Sequence, residues 1–253
     1  LIILIISSAL SYFLAKKTLH PLELAMESQN RFTADASHEL RTPLSAMRAE
    51  IEVALRDENL TKDEARKLLS SNIEEVEKLE NLSDALLKLA RYGKGAYDFR
   101  VVNVSDLVAE AFKKVEKLAK AKKIEFVNDL QKAQIVGDRQ SLIELFFVLL
   151  ENAVKYSEKG KRIEISVSQY SDKVFVKIKD QGIGIKSSEI PYIFERFYRA
   201  DSSRSKDKIN GYGLGLSLAK QIASVHGAKI SVKSSPNRGS EFDVVFSRSN
   251  GSI

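Results

Sequence analysis

The chain has 253 residues, 43% hydrophobic and 29% charged, with 40 basic side chains against 34 acidic ones and a net charge of +6. That is enough apolar material for one large domain or two ordinary ones, and it excludes a disordered protein. The absence of cysteine excludes disulfides, thiolate metal sites and cysteine nucleophiles, and three scattered histidines argue against a zinc site. The lysines are spread along the chain rather than blocked, which argues against nucleic acid and leaves a phosphorylated ligand or an anionic membrane surface to answer the positive charge.

Residues 1–15 are apolar or small and run into Lys16-Lys17. At about 1.5 Å per residue the run reaches roughly 22 Å, short of a hydrocarbon core of roughly 30 Å. Charges follow the run rather than precede it, the wrong order for a secretory signal. Residues 1–17 therefore read as the end of a truncated transmembrane helix with the basic pair on its cytoplasmic side. A buried helix of a soluble protein is the alternative.

From Thr18 to about Asp57 the pattern is helical. Leu40, Leu44, Met47, Ile51 and Ala54 alternate four- and three-residue steps, the seam of a helix in a bundle. At about 100° per residue His38 lies roughly 160° from Leu40, so it faces outward. Thr42, one turn on, shares that outer face, and Glu39 is its neighbour. Pro43 removes a backbone donor and presses on the carbonyl of Glu39, which predicts a bend beside His38.

Asp57 to Thr61 reads as a turn, with Thr61 and Glu64 forming a capping box for a second helix that runs to about Tyr92. Its stripe, from Leu69, Ile73 and Val76 through Leu79, Leu82, Leu86 and Leu89, is wider than one antiparallel neighbour covers. A homodimeric four-helix bundle is expected. Gly93-Lys94-Gly95 then serves as linker, dividing the chain into residues 18–92 and 96–249.

Beyond the linker come a helix over Val104 to Ala121, strands around Ile124-Phe126 and Ala133-Val136, and a helix from Arg139 to Tyr156. Alternating strands follow at Ile163-Val167 and Val174-Ile178, joined at Ser171-Asp172, and at Ile230-Val232 and Phe242-Phe246 around Pro236 to Gly239. Helices interleaved with antiparallel strands predict a two-layer α+β domain.

Three clusters carry chemistry. Asp180-Gln181-Gly182-Ile183-Gly184 ends a strand: glycines let backbone approach a ligand and Asp180 can accept a hydrogen bond from an amino group such as adenine's, although the pattern also serves as an ordinary turn. Gly211-Tyr212-Gly213-Leu214-Gly215-Leu216 opens a helix whose amides suit a phosphate. On the rim of the 139–156 helix, Asn152 and Lys155 offer an amide oxygen and an ammonium to magnesium and phosphate, with a plain cap or surface pair as the alternative. Between the glycine clusters, Ile193 to Arg199 combines an apolar anchor with Arg196 and Arg199, and the polar run Asp201 to Lys208 reads as a mobile lid.

In this order the motifs resemble the catalytic core of bacterial sensor histidine kinases, from about Asn30 to Phe246. Ser37-His38-Glu39-Leu40-Arg41-Thr42-Pro43 is similar to the family's phosphoacceptor box and Glu151-Asn152-Ala153-Val154-Lys155-Tyr156 to its asparagine box. Residues 180–184 and 211–216 are similar to its glycine boxes, with Phe194-Glu195-Arg196-Phe197 between them.

The resemblance implies a helical hairpin dimerising into a four-helix bundle, followed by the α/β sandwich shared with gyrase, Hsp90 and mismatch-repair ATPases. It implies ATP and Mg2+ as cofactors, a response regulator as partner, and an inner-membrane anchor with the kinase core in the cytoplasm. It makes His38 the phosphoacceptor, Glu39 its base and Thr42 the residue positioning water for dephosphorylation. Asn152 becomes the magnesium ligand, Asp180 the adenine reader and Tyr156 a neighbour of the base. Lys155, Arg196 and Arg199 belong to the ATP site, as do Gly182, Gly184, Gly211, Gly213, Leu214 and Gly215. Val148, Tyr212 and Ser240 depart from the asparagine, small hydroxyl residue and threonine common at their positions. Two rivals remain at this point: a conformational ATPase of the same superfamily without a phosphoenzyme, and a degenerate, non-enzymatic scaffold.

Overall fold

Helix α1 (Ile2–Arg56) is 55 residues long and runs through Pro43 without interruption, and α2 (Lys62–Lys94) returns from it. In this computed structural model, which describes residues 2–94, 97–200 and 211–247, the chain divides into two compact units, Leu1–Ser83 and Asp84–Ile253. The turn between the helices is built as its sequence requires. The Asp57 carboxylate accepts the amide of Asn59 at 3.0 Å. The Thr61 amide donates to the Glu64 carboxylate at 2.9 Å while the Glu64 amide donates back to the Thr61 hydroxyl at 3.3 Å, the expected capping box.

Several residues of the predicted seam stay in solvent within the single chain: Leu44 is 53% exposed, Leu69 61% and Ile73 60%. Among the described residues no helix is long and apolar enough to cross a membrane; the apolar run at the start of the chain is continuous with α1.

The end of α2 differs from the expected linker. Gly93 and Lys94 are still helical, and Gly95 lies outside the described residues. From Asp84 onward α2 belongs to the second unit. The Lys88 ammonium pairs with Glu144 at 2.8 Å, the Gln221 amide donates to the Leu89 carbonyl at 3.3 Å, and Leu89 and Tyr92 are buried. Those contacts, which periodicity within α2 cannot reveal, carry the helix past the glycine.

The second unit is the predicted α+β layer pair. Strand β1 (Phe99–Asn103), absent from the sequence reading, pairs antiparallel with β3 (Gln134–Asp138). A five-stranded sheet has the order β2-β4-β5-β7-β6, formed by Glu125–Leu130, Arg162–Tyr170, Lys173–Asp180, Ser240–Ser247 and Lys229–Ser234 respectively. All its pairings are antiparallel except β2 with β4. The alternation of Ile163, Ile165 and Val167, of Val174, Val176 and Ile178, and of Phe242, Val244 and Phe246 puts one face in the core.

Helices α3 (Val104–Ala121), α4 (Arg139–Tyr156) and α5 (Gly215–Val225) complete the unit, with α4 packed against α3, α5 and the sheet. Leu142, Leu145, Phe146 and Leu149 of α4 are fully buried, and Phe146 meets Phe246 edge-on at 6.3 Å. Each such side chain stabilises the core by about 1.5–3 kcal/mol. α4 is thereby a fixed rail, and its C-terminal turn carries the residues of greatest chemical interest.

Candidate functional site

On the first unit, His38, Glu39 and Thr42 are exposed on α1 while Leu40 is half-buried, as the helical phase requires. The Thr42 hydroxyl donates to the His38 carbonyl at 3.1 Å, so the two residues are tied through the backbone and the imidazole projects into solvent. An exposed imidazole with a carboxylate beside it can act as nucleophile or base toward a group brought from outside.

On the second unit a cavity opens between the end of α4, the β5 end and the start of α5. It is lined by Asn152, Tyr156, Asp180, Gly184 and Arg199, all expected from the sequence. Asp180 is only 4% exposed. Burial pushes its carboxyl up to about 6, against the opposing effect of the Gly182 and Ser240 amides, which donate to Oδ1 at 2.7 and 3.2 Å. Both bonds fall on one oxygen, which leaves Oδ2 for a donor in the cavity.

The loop after Asp180 is held from two sides. The Ile183 amide donates to the Tyr156 carbonyl at 3.3 Å, and the Asn237 amide donates to the Ile183 carbonyl at 2.7 Å. Gly184 has φ +67°, and a Cβ there would lie 1.9 Å from the Ser235 carbonyl oxygen, so only glycine allows this close approach.

The opposite end of the cavity suits an anion. α5 begins after Leu214, which supplies no side-chain cap, so the first turn of the helix can offer amide donors to a ligand. The Lys155 ammonium sits against the preceding glycine cluster, 2.5 Å from where a Cβ of Gly211 would be. Burial lowers the Lys155 pKa, opposed by the nearby Glu151 carboxylate, and burial raises that of Tyr156. Gly213 and Gly215 flank Leu214 at this helix start, and Leu216 lines the cavity. An amino-group reader at one end and an uncapped helix with a lysine at the other match a nucleotide laid along the cavity.

Of the other expected ATP-site residues, Lys155, Gly182, Gly211, Gly213, Leu214 and Gly215 lie beside the cavity without lining it, and the half-buried Arg196 does not line it either. Among the described residues no cluster of three His, Asp or Glu side chains is arranged to hold a metal. Asn152, an oxygen donor on the cavity wall, fits a hard cation such as magnesium that keeps its waters and arrives with phosphates. The expected lid, Asp201 to Lys208, lies outside the described residues.

Val148, the apolar departure, is buried beneath α5, its Cγ1 3.2 Å from where a Cβ of Gly215 would be; it supports the helix start by packing. Ile183, Ile185 and Ile193, which the sequence places within or between the glycine clusters without a wall role, and Phe242, which it places only in a strand, form apolar walls of the cavity. The sequence reading missed Ser234, whose hydroxyl accepts the Ile185 amide and donates to the Gly239 carbonyl, both at 2.8 Å. Phe242 and Ser234 carry only the signal of ordinary strand residues, and Ile183, Ile185 and Ile193 that of apolar residues in a loop or turn.

The match to known families falls on the same two places. Residues 28–95 match the His Kinase A (phospho-acceptor) domain, and residues 137–250 match the histidine kinase-, DNA gyrase B- and HSP90-like ATPase. The chain belongs to the sensor histidine kinases. It is 34% identical over 242 residues to the sensor protein CiaH of Streptococcus pneumoniae, covering 95% of this chain and 54% of that protein. It is 35% identical over 228 residues to the sensor histidine kinase YkoH of Bacillus subtilis, covering 89% and 49%. The chain thus spans about half the length of the curated relatives it matches. The solved histidine kinase ThkA, in complex with response regulator protein TrrA, shares the fold with a TM-score of 0.73 at 20% identity, over 94% of this chain and 66% of that one. The phospho-acceptor match covers His38, and the ATPase match covers every cavity residue named above.

Proposed function

We propose that this chain is the kinase core of a sensor histidine kinase, which transfers the γ-phosphoryl group of ATP to His38 and then to an aspartate of a response regulator. The observation that carries the reading is the pairing of an outward, carboxylate-flanked histidine with a separate cavity bearing a buried Asp180 and an uncapped helix start.

In the transfer, Asp180 accepts from the adenine amino group and Tyr156 lies near the base. Lys155, Arg199 and the amides at Gly213 to Gly215 hold the phosphates. Asn152 would hold a magnesium ion, which would supply charge neutralisation to the triphosphate. Glu39 accepts a hydrogen bond from the far ring nitrogen of His38, leaving a lone pair on the attacking one. The N–P bond forms as the bond from the γ-phosphorus to the bridging oxygen breaks, and ADP leaves. In the reverse direction Thr42 positions water to dephosphorylate the regulator. The complex of ThkA with TrrA supports the choice of partner class.

The exposed stripe of Leu44, Leu69 and Ile73 supports assembly of two hairpins into a homodimeric bundle. Because His38 and the cavity lie on separate units, the reaction needs a hinge, which we place at Gly93-Lys94-Gly95. A swing there must release the Lys88–Glu144 pair and the Gln221–Leu89 bond. The apolar run up to Ala15 and the Lys16-Lys17 pair support attachment to the inner membrane, with the kinase core in the cytoplasm. Membrane fractionation of the native protein tests that attachment, and recovery in the soluble fraction contradicts it.

The outward His38, within the phospho-acceptor match, favours this reading over an ATPase without a phosphoenzyme. The test is the His38→Gln variant: it is expected to bind ATP as wild type does and to take up no label from γ-labelled ATP. Label retained at wild-type level refutes the assignment.

A further inference from the structure

Helix α4 ends at Tyr156, and its last carbonyls have no partner within the helix. Their partners form a complete set. The Ala153 carbonyl accepts the Ser157 amide at 3.2 Å and the Tyr156 carbonyl accepts the Ile183 amide at 3.3 Å. The remaining two, of Val154 and Lys155, accept from one ammonium, that of Lys122, at 3.0 and 2.7 Å, and the Ser157 carbonyl beyond the helix accepts its third bond at 3.0 Å. A lysine ammonium has three donors, and here all three are used on one helix end.

Lys122 is itself held in place. It caps α3, its amide donating to the Leu118 carbonyl at 3.2 Å; its carbonyl accepts the Gly160 amide at 3.0 Å, and Lys123 turns the chain with φ 53°. Its side chain is half-buried, and burial lowers its pKa. It does not line the nucleotide cavity and lies outside the segment that matches the ATPase family.

We infer that Lys122 is a positioning residue for the nucleotide site: its ammonium fixes the turn of α4 that presents Asn152, Lys155 and Tyr156. Through the Tyr156 carbonyl the same turn sets the height of the loop that follows Asp180. Without the ammonium, three carbonyls lose their donor together, the turn loosens, and both walls of the cavity shift. The inference rests on the proposed ATP site.

The test compares Lys122→Met, Lys122→Gln and Lys122→Arg with Lys120→Met, which removes an exposed lysine paired with Glu116 on the same helix. ATP dissociation constants are measured on the full chain, well below each melting midpoint, together with KM and kcat for autophosphorylation. A misplaced binding wall predicts about tenfold weaker ATP binding for Lys122→Met and about fivefold for Lys122→Gln. KM should rise in parallel with kcat within about twofold. Lys122→Arg, which keeps the charge and reaches two carbonyls, recovers most of the affinity, and Lys120→Met matches wild type. Should Lys122→Met fail to fold, Lys122→Gln decides. A folded Lys122 variant that melts lower yet binds ATP as wild type does overturns the inference, as does equal weakening in Lys120→Met. A wild-type chain that fails to bind ATP refutes the nucleotide site itself.

Discussion

The two units solve the problem of burying apolar surface in opposite ways. In the second, the sheet and three helices enclose their own core: Leu149, Ile163 and Val244 are wholly buried in a single chain. In the first, a helical hairpin leaves Leu44, Leu69 and Ile73 more than half exposed, and side-chain bonds such as that from Arg48 to Glu52 at 2.7 Å run one turn along the same helix. A hairpin of that kind has surface to offer a second hairpin, whereas the sandwich is complete and can hold a small ligand rigidly. On the proposed reading, the phosphoacceptor His38 thus rides on the unit that leaves apolar surface for a partner, and the nucleotide cavity lies in the unit that encloses its own core.

Mutations separate the two modes. Leu149→Ala, in the closed core, is expected to cost about 2–5 kcal/mol of unfolding free energy, read from denaturant titration at any protein concentration. Leu69→Ala should cost well under that in a monomer, but should weaken a dimer measured by sedimentation; identical effects in a dilution series remove the distinction.

Gly184→Val is next in size. Positive φ and the carbonyl 1.9 Å from any Cβ predict about 1–3 kcal/mol of strain in the loop. ATP binding falls while the hairpin's helicity is unchanged. Unchanged ATP affinity in this variant contradicts the loop's role.

The pH response of the cavity is smaller. The Asp180 carboxyl, raised to about 6, must be ionised for Oδ2 to accept from adenine. Binding is therefore fully present above that value and lost as pH falls through it, with the dissociation constant rising about tenfold between pH 7 and pH 5. A flat profile over that range removes Asp180 from base recognition. Smallest in stability terms is Thr42→Ala, on the exposed face of α1: melting is expected to stay within about 0.5 kcal/mol of wild type. Autokinase activity is kept and phosphatase activity lost; equal loss of both assigns Thr42 a structural role.

The difference between the units also explains what the sequence reveals. The outward phase of His38 and Thr42 follows from spacing alone, because a helix fixes the angle of every residue, and the Thr61–Glu64 cap is equally local. The alternating strands and the glycine clusters are legible for the same reason. β1, the parallel pairing of β2 with β4 and the reach of α2 past Gly93 depend on partners distant in sequence, and no period encodes those. Ser234 and Lys122 illustrate the limit around the site: each looks like a surface residue in the sequence, and only the fold brings Ser234 to the Ile185 amide and Lys122 to the end of α4. Arg196 shows the converse, since its family-like position beside Phe197 does not bring it to the cavity wall.

The division of labour between the units is tested most directly by locating the phosphoryl group. The full chain is incubated with γ-labelled ATP, digested with trypsin at alkaline pH to preserve phosphohistidine, and its peptides are separated. Acid-labile label is expected only on the peptide Phe32–Arg41, which contains His38 and neither of the other two histidines. Label on the peptide containing His226, or acid-stable label on any serine or threonine, would contradict that expectation.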